Sequence, residues 1–307
     1  MASVRVDSRN QPAVQELQFR NDQAFLSLIV NRRTGTIRVI DFRSGSVPVK
    51  RVFVQSVAQR EGATKAFTLV EKDEVSSWVR LGFWREGQIP GFYKRSDAYM
   101  LGCVIAPESA DGDAPPERAS PSDGRLAERT IHGAKKILKD IPELITGCKL
   151  RGVDAAEAAG PREEVAAKGL AINTFDPFGR HALRLYLEAI ASSGEVNYLS
   201  AEFEECFGHS TIEILKSPTD LPQILSVTAG IRAFSEELKR RGIVSAFGFT
   251  PSDDVKLAAC FISSGYRKTG LLAKHGLVKG ERCDMILWTR KLANPAGDGE
   301  PMDDEEI

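Results

Sequence analysis

One carboxylate in this chain stands where a strand could present it for chemistry. In Thr211-Ile212-Glu213-Ile214-Leu215 the side chains alternate, so Thr211, Glu213 and Leu215 share one face of an extended segment. A carboxylate held this way is a candidate proton acceptor. Other chemistry finds less support. His132, His181, His209 and His275 show no metal-ligand spacing and read as surface or packing residues. Cys103, Cys148, Cys206, Cys260 and Cys283 form no C-x-x-C pair, so they indicate neither a disulfide framework nor a zinc site. The chain contains no G-x-S-x-G elbow and no P-loop. The basic pairs and triplets Lys135-Lys136 and Lys239-Arg240-Arg241 read as solvated helix faces.

The whole chain sets the frame for that residue. Its 307 residues suggest two domains, and 42% hydrophobic residues supply a sizeable core. With 41 basic and 42 acidic residues, no net field draws the chain to nucleic acid or to an anionic membrane. The N-terminus lacks the layout of a secretion signal, and no apolar run approaches the ~20 residues of a membrane helix. The cytoplasm is the expected compartment. Residues 106–128, dense in Pro, Gly, Ser and charge, read as a linker, and the acidic stretch 293–307 reads as a disordered tail.

The segment before the linker predicts strands at 24–30 and 35–42 joined by a hairpin, a helix ending at Gly62, and a strand at 66–70. A helix ending at Gly82 and strands at 85–88 and 98–105 follow. The segment after it predicts helices near 154–168 and 179–191, strands at 196–203 and 211–215, and a helix from about Ala229 to Arg241. A strand at 243–249 and a helix ending at Gly265 complete it. Strand alternating with helix indicates an α/β sheet.

The two segments share a signature. Gly82-Phe83-Trp84-Arg85-Glu86-Gly87 and Gly265-Tyr266-Arg267-Lys268-Thr269-Gly270 both fit G-[FY]-x-[RK]-x-G, each after a helix with an aromatic four residues before its first Gly (Trp78, Phe261). Asp97-Ala98-Tyr99-Met100-Leu101 and Asp284-Met285-Ile286-Leu287-Trp288 correspond downstream, which points to duplication. The arrangement resembles the C-terminal half of GNAT acetyltransferases. Ile89-Pro90-Gly91-Phe92-Tyr93 followed by Asp97-Ala98-Tyr99-Met100 is similar to the N-terminal region of the β-lysine N-acetyltransferase family.

That resemblance implies an α/β fold of two GNAT-like units, each a twisted mixed sheet flanked by helices. Residues 1–105 would be an N-terminal GNAT-like half unit and 129–292 a GNAT acetyltransferase-like domain. It also implies acetyl-CoA as co-substrate and a small amine or amino acid, extending to a lysine-like one, as acceptor. Such enzymes grip the pyrophosphate in an [RQ]-x-x-G-x-[GA] loop before the central helix. Here Gln223, Ser226, Thr228, Ala229 and Gly230 correspond, with Ser226 and Thr228 at the two glycine positions. Glu213 takes the place of the general base. Asp254 falls near the pantetheine, and Phe261 stands where a Tyr usually acts as acid, so either Tyr266, close in sequence, donates the proton or the thiolate leaves unassisted. The first segment, with Pro48 at the corresponding helix start, is the poorer cofactor site. The competing reading is a non-catalytic GNAT-like protein that binds a ligand or partner. A homodimer is compatible with either.

Overall fold

The computed structural model describes residues 12–105, 124–179 and 182–293. The first unit runs β1 (Val14–Arg20), β2 (Phe25–Asn31), β3 (Thr36–Asp41), α1 (Pro48–Glu61), β4 (Lys65–Val70), α2 (Val75–Arg80), β5 (Trp84–Ile89) and β6 (Ala98–Val104). The second runs α3 (Gly124–Ile137), β7 (Lys149–Val153), α4 (Ala155–Ala167), β8 (Leu183–Ile190), β9 (Val196–Glu204) and β10 (His209–Ile214). It continues with α5 (Leu221–Arg240), β11 (Ser245–Pro251), α6 (Val255–Ser263), β12 (Arg267–Val278) and β13 (Glu281–Lys291). No helix among the described residues is long and apolar enough to cross a membrane.

The 13 strands of the described residues form one mixed sheet, in the order β1-β2-β3-β4-β6-β5-β12-β13-β11-β10-β9-β8-β7. The order is palindromic about β5 and β12. In each unit a parallel pair crossed over by a long helix (β3/β4, β10/β11) continues into two antiparallel strands, the first (β5, β12) at the joint and the second (β6, β13) inserted between it and the parallel pair. Residues 64–105 and 243–292 therefore share strand order and direction, as the repeated signature implies. The signature's final glycines meet at the joint, where Gly87 pairs with Gly270. A Cβ on Gly270 would lie 2.6 Å from the Glu86 carbonyl oxygen and 2.7 Å from the Gly87 Cα. Only glycine permits that approach.

Beside the joint a buried ion pair ties the units together. Lys65 Nζ reaches Glu86 Oε1 at 2.6 Å and donates to the Ala273 carbonyl at 2.8 Å. Burial lowers the pKa of the Lys65 amine and raises that of the Glu86 carboxyl, each opposed by the partner's charge. Apolar cores fill the space under each half, one around Leu26, Val54 and Trp78 and the other around Leu199, Ile231 and Trp288.

Several elements differ from the sequence reading. Residues 179–191 hold strand β8 rather than a helix: Leu183, Leu185 and Leu187 alternate, and the strand pairs on both edges with β7 and β9. Helix α3 begins at Gly124, inside the stretch read as linker, and buries Ala127, Thr130 and Ala134. The rest of that stretch and the acidic tail after Ala293 lie outside the described residues. Helix α5 starts at Leu221, eight residues earlier than expected, because Asp220 caps it and Pro222 fits its first turn.

Candidate functional site

The parallel pair β10/β11 is hydrogen-bonded from His209/Ser245 to Ile212/Gly248, and there it parts. A Cβ on Gly248 would lie 2.7 Å from the Ile212 carbonyl and from the Phe261 ring, so the last rung depends on glycine. Beyond it the strands diverge, and part of this chain enters the gap. Ile172 N–H donates to the Leu215 carbonyl at 2.8 Å, Asn173 Nδ2 to the Ile214 carbonyl at 2.9 Å, and Ala171 bridges Lys216. Ile172 lines both spaces that result, an inner cavity of about 120 Å³ and an outer cleft of about 750 Å³.

Glu213 is in the wall of the inner cavity. Alternation on β10 puts Thr211 there as well, as the sequence pattern anticipates. Burial raises the Glu213 carboxyl to about 7, against the opposing attraction of Arg184. Arg184, on β8, donates to Glu213 Oε2 at 2.5 Å, to the Asp176 carbonyl at 2.9 Å and to Glu202 of β9. Glu202 accepts in turn from the Phe178 and Gly179 amides. Three adjacent strands thus hold one guanidinium between two carboxylates on a single sheet face, which orients Glu213 without leaving a full charge on it.

The first unit supplies the opposite wall. Asn31 and Arg33 bind the Asp176 carboxylate at 3.0 and 2.5 Å, and Arg38 donates to the Phe178 carbonyl. Phe67 of the first unit lines the cavity together with Phe178 and Phe249 of the second. The Arg38 guanidinium lies 4.0 Å over the Phe178 ring. His275, on β12, meets Phe67 edge-on, and burial holds its pKa well below 6.5, so its ring is neutral. The cavity is a property of both units together.

The outer cleft lies between the starts of α5 and α6. A helix start leaves four N–H groups open. At α5 Pro222 has none, the Gln223 N–H is taken by Asp220 Oδ1 at 2.9 Å, and Ile224 already bonds back to the Asp220 carbonyl. At α6 Asp254 accepts from the Leu257 N–H at 2.9 Å and from the Ser217 hydroxyl, and burial raises its pKa. Asp253 and Glu195 add negative charge, with Lys216, Lys256 and Lys279 opposing. Two carboxylate caps in one cleft do not fit a pyrophosphate seated on either helix end.

The remaining sequence-derived residues divide sharply. Gln223 and Asp254 line the cleft. Ser226, Thr228, Ala229 and Gly230 are inside α5 and form no phosphate loop, because their N–H groups belong to the helix ladder. Ser226 Oγ turns back to the Gln223 carbonyl, and Gly230 packs α5 onto the sheet, where a Cβ would lie 2.9 Å from Leu199. Phe261 is fully buried between Tyr266 and Trp288. Tyr266 does not reach the cavity: its hydroxyl is 3.1 Å from Ser235 Oγ, about 22 Å along α5 from Asp220. Burial pushes that phenol up to about 12. In the first unit Lys50, buried and bonded to Asp41 and the Arg43 carbonyl, fills the start of α1. The Ile89–Tyr93 stretch serves the joint between units: Phe92 stacks on His209, and Tyr93 donates to the Leu69 carbonyl. Arg38, Asp176, Arg184 and Glu202 have no local motif, and no family of spacings marks them in the sequence.

No family model matches the chain, and no curated protein matches it. Solved structures similar to it include spermidine N-acetyltransferase from Vibrio cholerae in complex with CoA and spermine, at 8% identity and TM-score 0.37, covering 49% of this chain and 99% of that one. A putative acetyltransferase from Sphaerobacter thermophilus aligns at 13% identity and TM-score 0.36, covering 48% and 95%. The ribosomal-protein-S18-alanine N-acetyltransferase from Escherichia coli aligns at 14% identity and TM-score 0.35, covering 50% and 98%.

Proposed function

We propose that this chain is an acyl-CoA-dependent N-acetyltransferase for a small amine or amino acid, with Glu213 as the base. The observation that carries the reading is the Glu213 carboxyl in the wall of the inner cavity, just past the rung where β10 and β11 part. An amine reaches a protein at neutral pH as ammonium and must lose a proton before it can attack a carbonyl. A carboxyl near pH 7 is matched to that task. Arg184 holds Oε2 and orients the carboxyl, and Phe67, Phe178 and Phe249 line the same cavity. Acyl-CoA would supply the acyl group and a thiolate leaving group; in place of Tyr266, the thiolate leaves without an acid, tolerable at a thiol pKa of about 8.5.

The co-substrate's own seat differs from the expected one. Asp220 and Pro222 close the α5 start, and residues 171–173 occupy the edge of β10. These two observations favour a second reading, a GNAT-like module that binds a ligand in the cavity without acyl transfer. Thiol release from acetyl-CoA in the presence of small amines separates the two. The enzyme reading expects amine-dependent release whose kcat/KM rises through about pH 7, and at least about a 100-fold loss in Glu213→Gln. Release that is absent, or that survives unchanged in Glu213→Gln, refutes it.

A further inference from the structure

The cavity's polar wall is nearly self-satisfied, and the exceptions are informative. Asp176 is engaged by Asn31, Arg33 and Thr174, Thr34 bonds Thr36 at 2.8 Å, and Asn173 bonds the Ile214 carbonyl. Two residues of the wall, Arg38 and His275, each carry a fully buried nitrogen, Nε and Nδ1, for which the described residues supply no partner. Arg38 follows from strand alternation: Ile37 and Val39 point into the first unit's core, which turns Arg38 toward the second unit. Among the described residues no carboxylate makes an ion pair with it; its guanidinium lies over the Phe178 ring and donates to the Phe178 carbonyl, with Glu204 and Glu202 attracting it from beyond ion-pair distance. A cation held beside an aromatic ring with an N–H unfilled is a receptor for an anionic oxygen, since an unmade bond to a charged donor is costly.

Resting on the reading of this cavity as the acceptor site, we propose that it takes a compact zwitterion, its ammonium at Glu213 and its carboxylate on the side of the Arg38 guanidinium and the His275 ring. The first unit then has a definite role: it supplies the residue that selects a carboxylate-bearing amine over a simple amine or polyamine. Size narrows the ligand further. A cavity of about 120 Å³ is a little smaller than the ~150 Å³ one that holds benzene, so it encloses about five or six non-hydrogen atoms. Glycine, alanine and β-alanine are of that size, and lysine and spermidine exceed it.

The test is equilibrium titration of the full chain, without acyl donor, by calorimetry and thermal shift. The probes are glycine, alanine, β-alanine, alaninamide, propylamine, lysine and spermidine. At least one of the three small amino acids should bind tighter than alaninamide and propylamine by roughly 10- to 100-fold, the worth of one charged hydrogen-bonded contact. Arg38→Gln should bring the acid down to the affinity of the amide while leaving the amide unchanged, and Arg38→Lys should retain part of the preference. If Arg38→Gln does not fold, the acid-versus-amide comparison on the unaltered chain decides alone. Equal affinity for acid and amide, tighter binding of lysine or spermidine, or no binding of any probe at millimolar concentration overturns the proposal. Loss of the acid preference would leave amine acylation standing, whereas absent acyl transfer with the preference intact would sink the enzyme and keep this site.

Discussion

Replacing Glu213 by Gln turns the electrostatics of the cavity into a stability measurement. The carboxyl moves from 4.5 to about 7 on folding because burial disfavours its charge more than Arg184 favours it. At about 1.4 kcal/mol per pH unit, the ionised form is disfavoured by about 3 kcal/mol. The sign follows from proton counting. Below pH 4.5 folded and unfolded chains both hold the proton and the full stability is present; as pH rises through 7 the folded chain must give it up, and stability is lost. Gln carries no charge at any pH and Glu202 still holds Arg184. The variant should therefore gain on the original by about 2–3 kcal/mol between pH 5 and pH 8.5. Urea unfolding followed by tryptophan fluorescence at steps across that range gives the difference directly, and other titrating groups cancel in it. A difference that stays flat within about 0.5 kcal/mol, or that moves against the variant as pH rises, refutes the claim that Glu213 is a desolvated carboxyl.

Three further outcomes are expected. Gly270→Ala places a methyl against the Glu86 carbonyl and Gly87 and should cost about 1–3 kcal/mol by forcing β5 and β12 apart; an unaltered urea midpoint would contradict the tight joint. Lys65→Met leaves Glu86 buried without its cation and should cost about 3–5 kcal/mol, most of it recovered in Lys65→Met/Glu86→Leu. A double-mutant cycle that shows no coupling would remove the pair from the account. Saturating acetyl-CoA should lower the hydrogen-exchange protection of the Ile172 amide, because its bond to Leu215 closes the slot. Unchanged protection at saturation would mean that the donor enters elsewhere.

Much of the fold is legible in local signals. β-Rich runs such as 24–30 and 196–203 mark β2 and β9, and the paired G-[FY]-x-[RK]-x-G signature marks the halves that meet at Gly87 and Gly270. The strand face of Glu213 follows from alternation alone. Other features were present but outcompeted. Thr219-Asp220-Leu221-Pro222 is a helix start by capping chemistry, yet the spacing Gln223-x-x-Ser226-x-Thr228 overlays a phosphate-loop pattern on what is helix interior. Residues 183–190 alternate, yet their Leu and Ala content also suits a helix, and only pairing with β7 and β9 decides. Arg38, Arg184 and His275 are different in kind. Each is an isolated polar residue in a strand, and the cavity lined by Arg38 and His275, with Arg184 behind Glu213, exists only once the two units close on each other.

The central claim, that this chain uses acyl-CoA to acylate an amine with Glu213 as the base, is tested most directly by calorimetric titration of the intact chain with acetyl-CoA. The account predicts saturable binding in the micromolar range, with residues 171–173 giving up the edge of β10. No heat of binding up to millimolar acetyl-CoA would contradict it and leave the cavity as the site of a binding module.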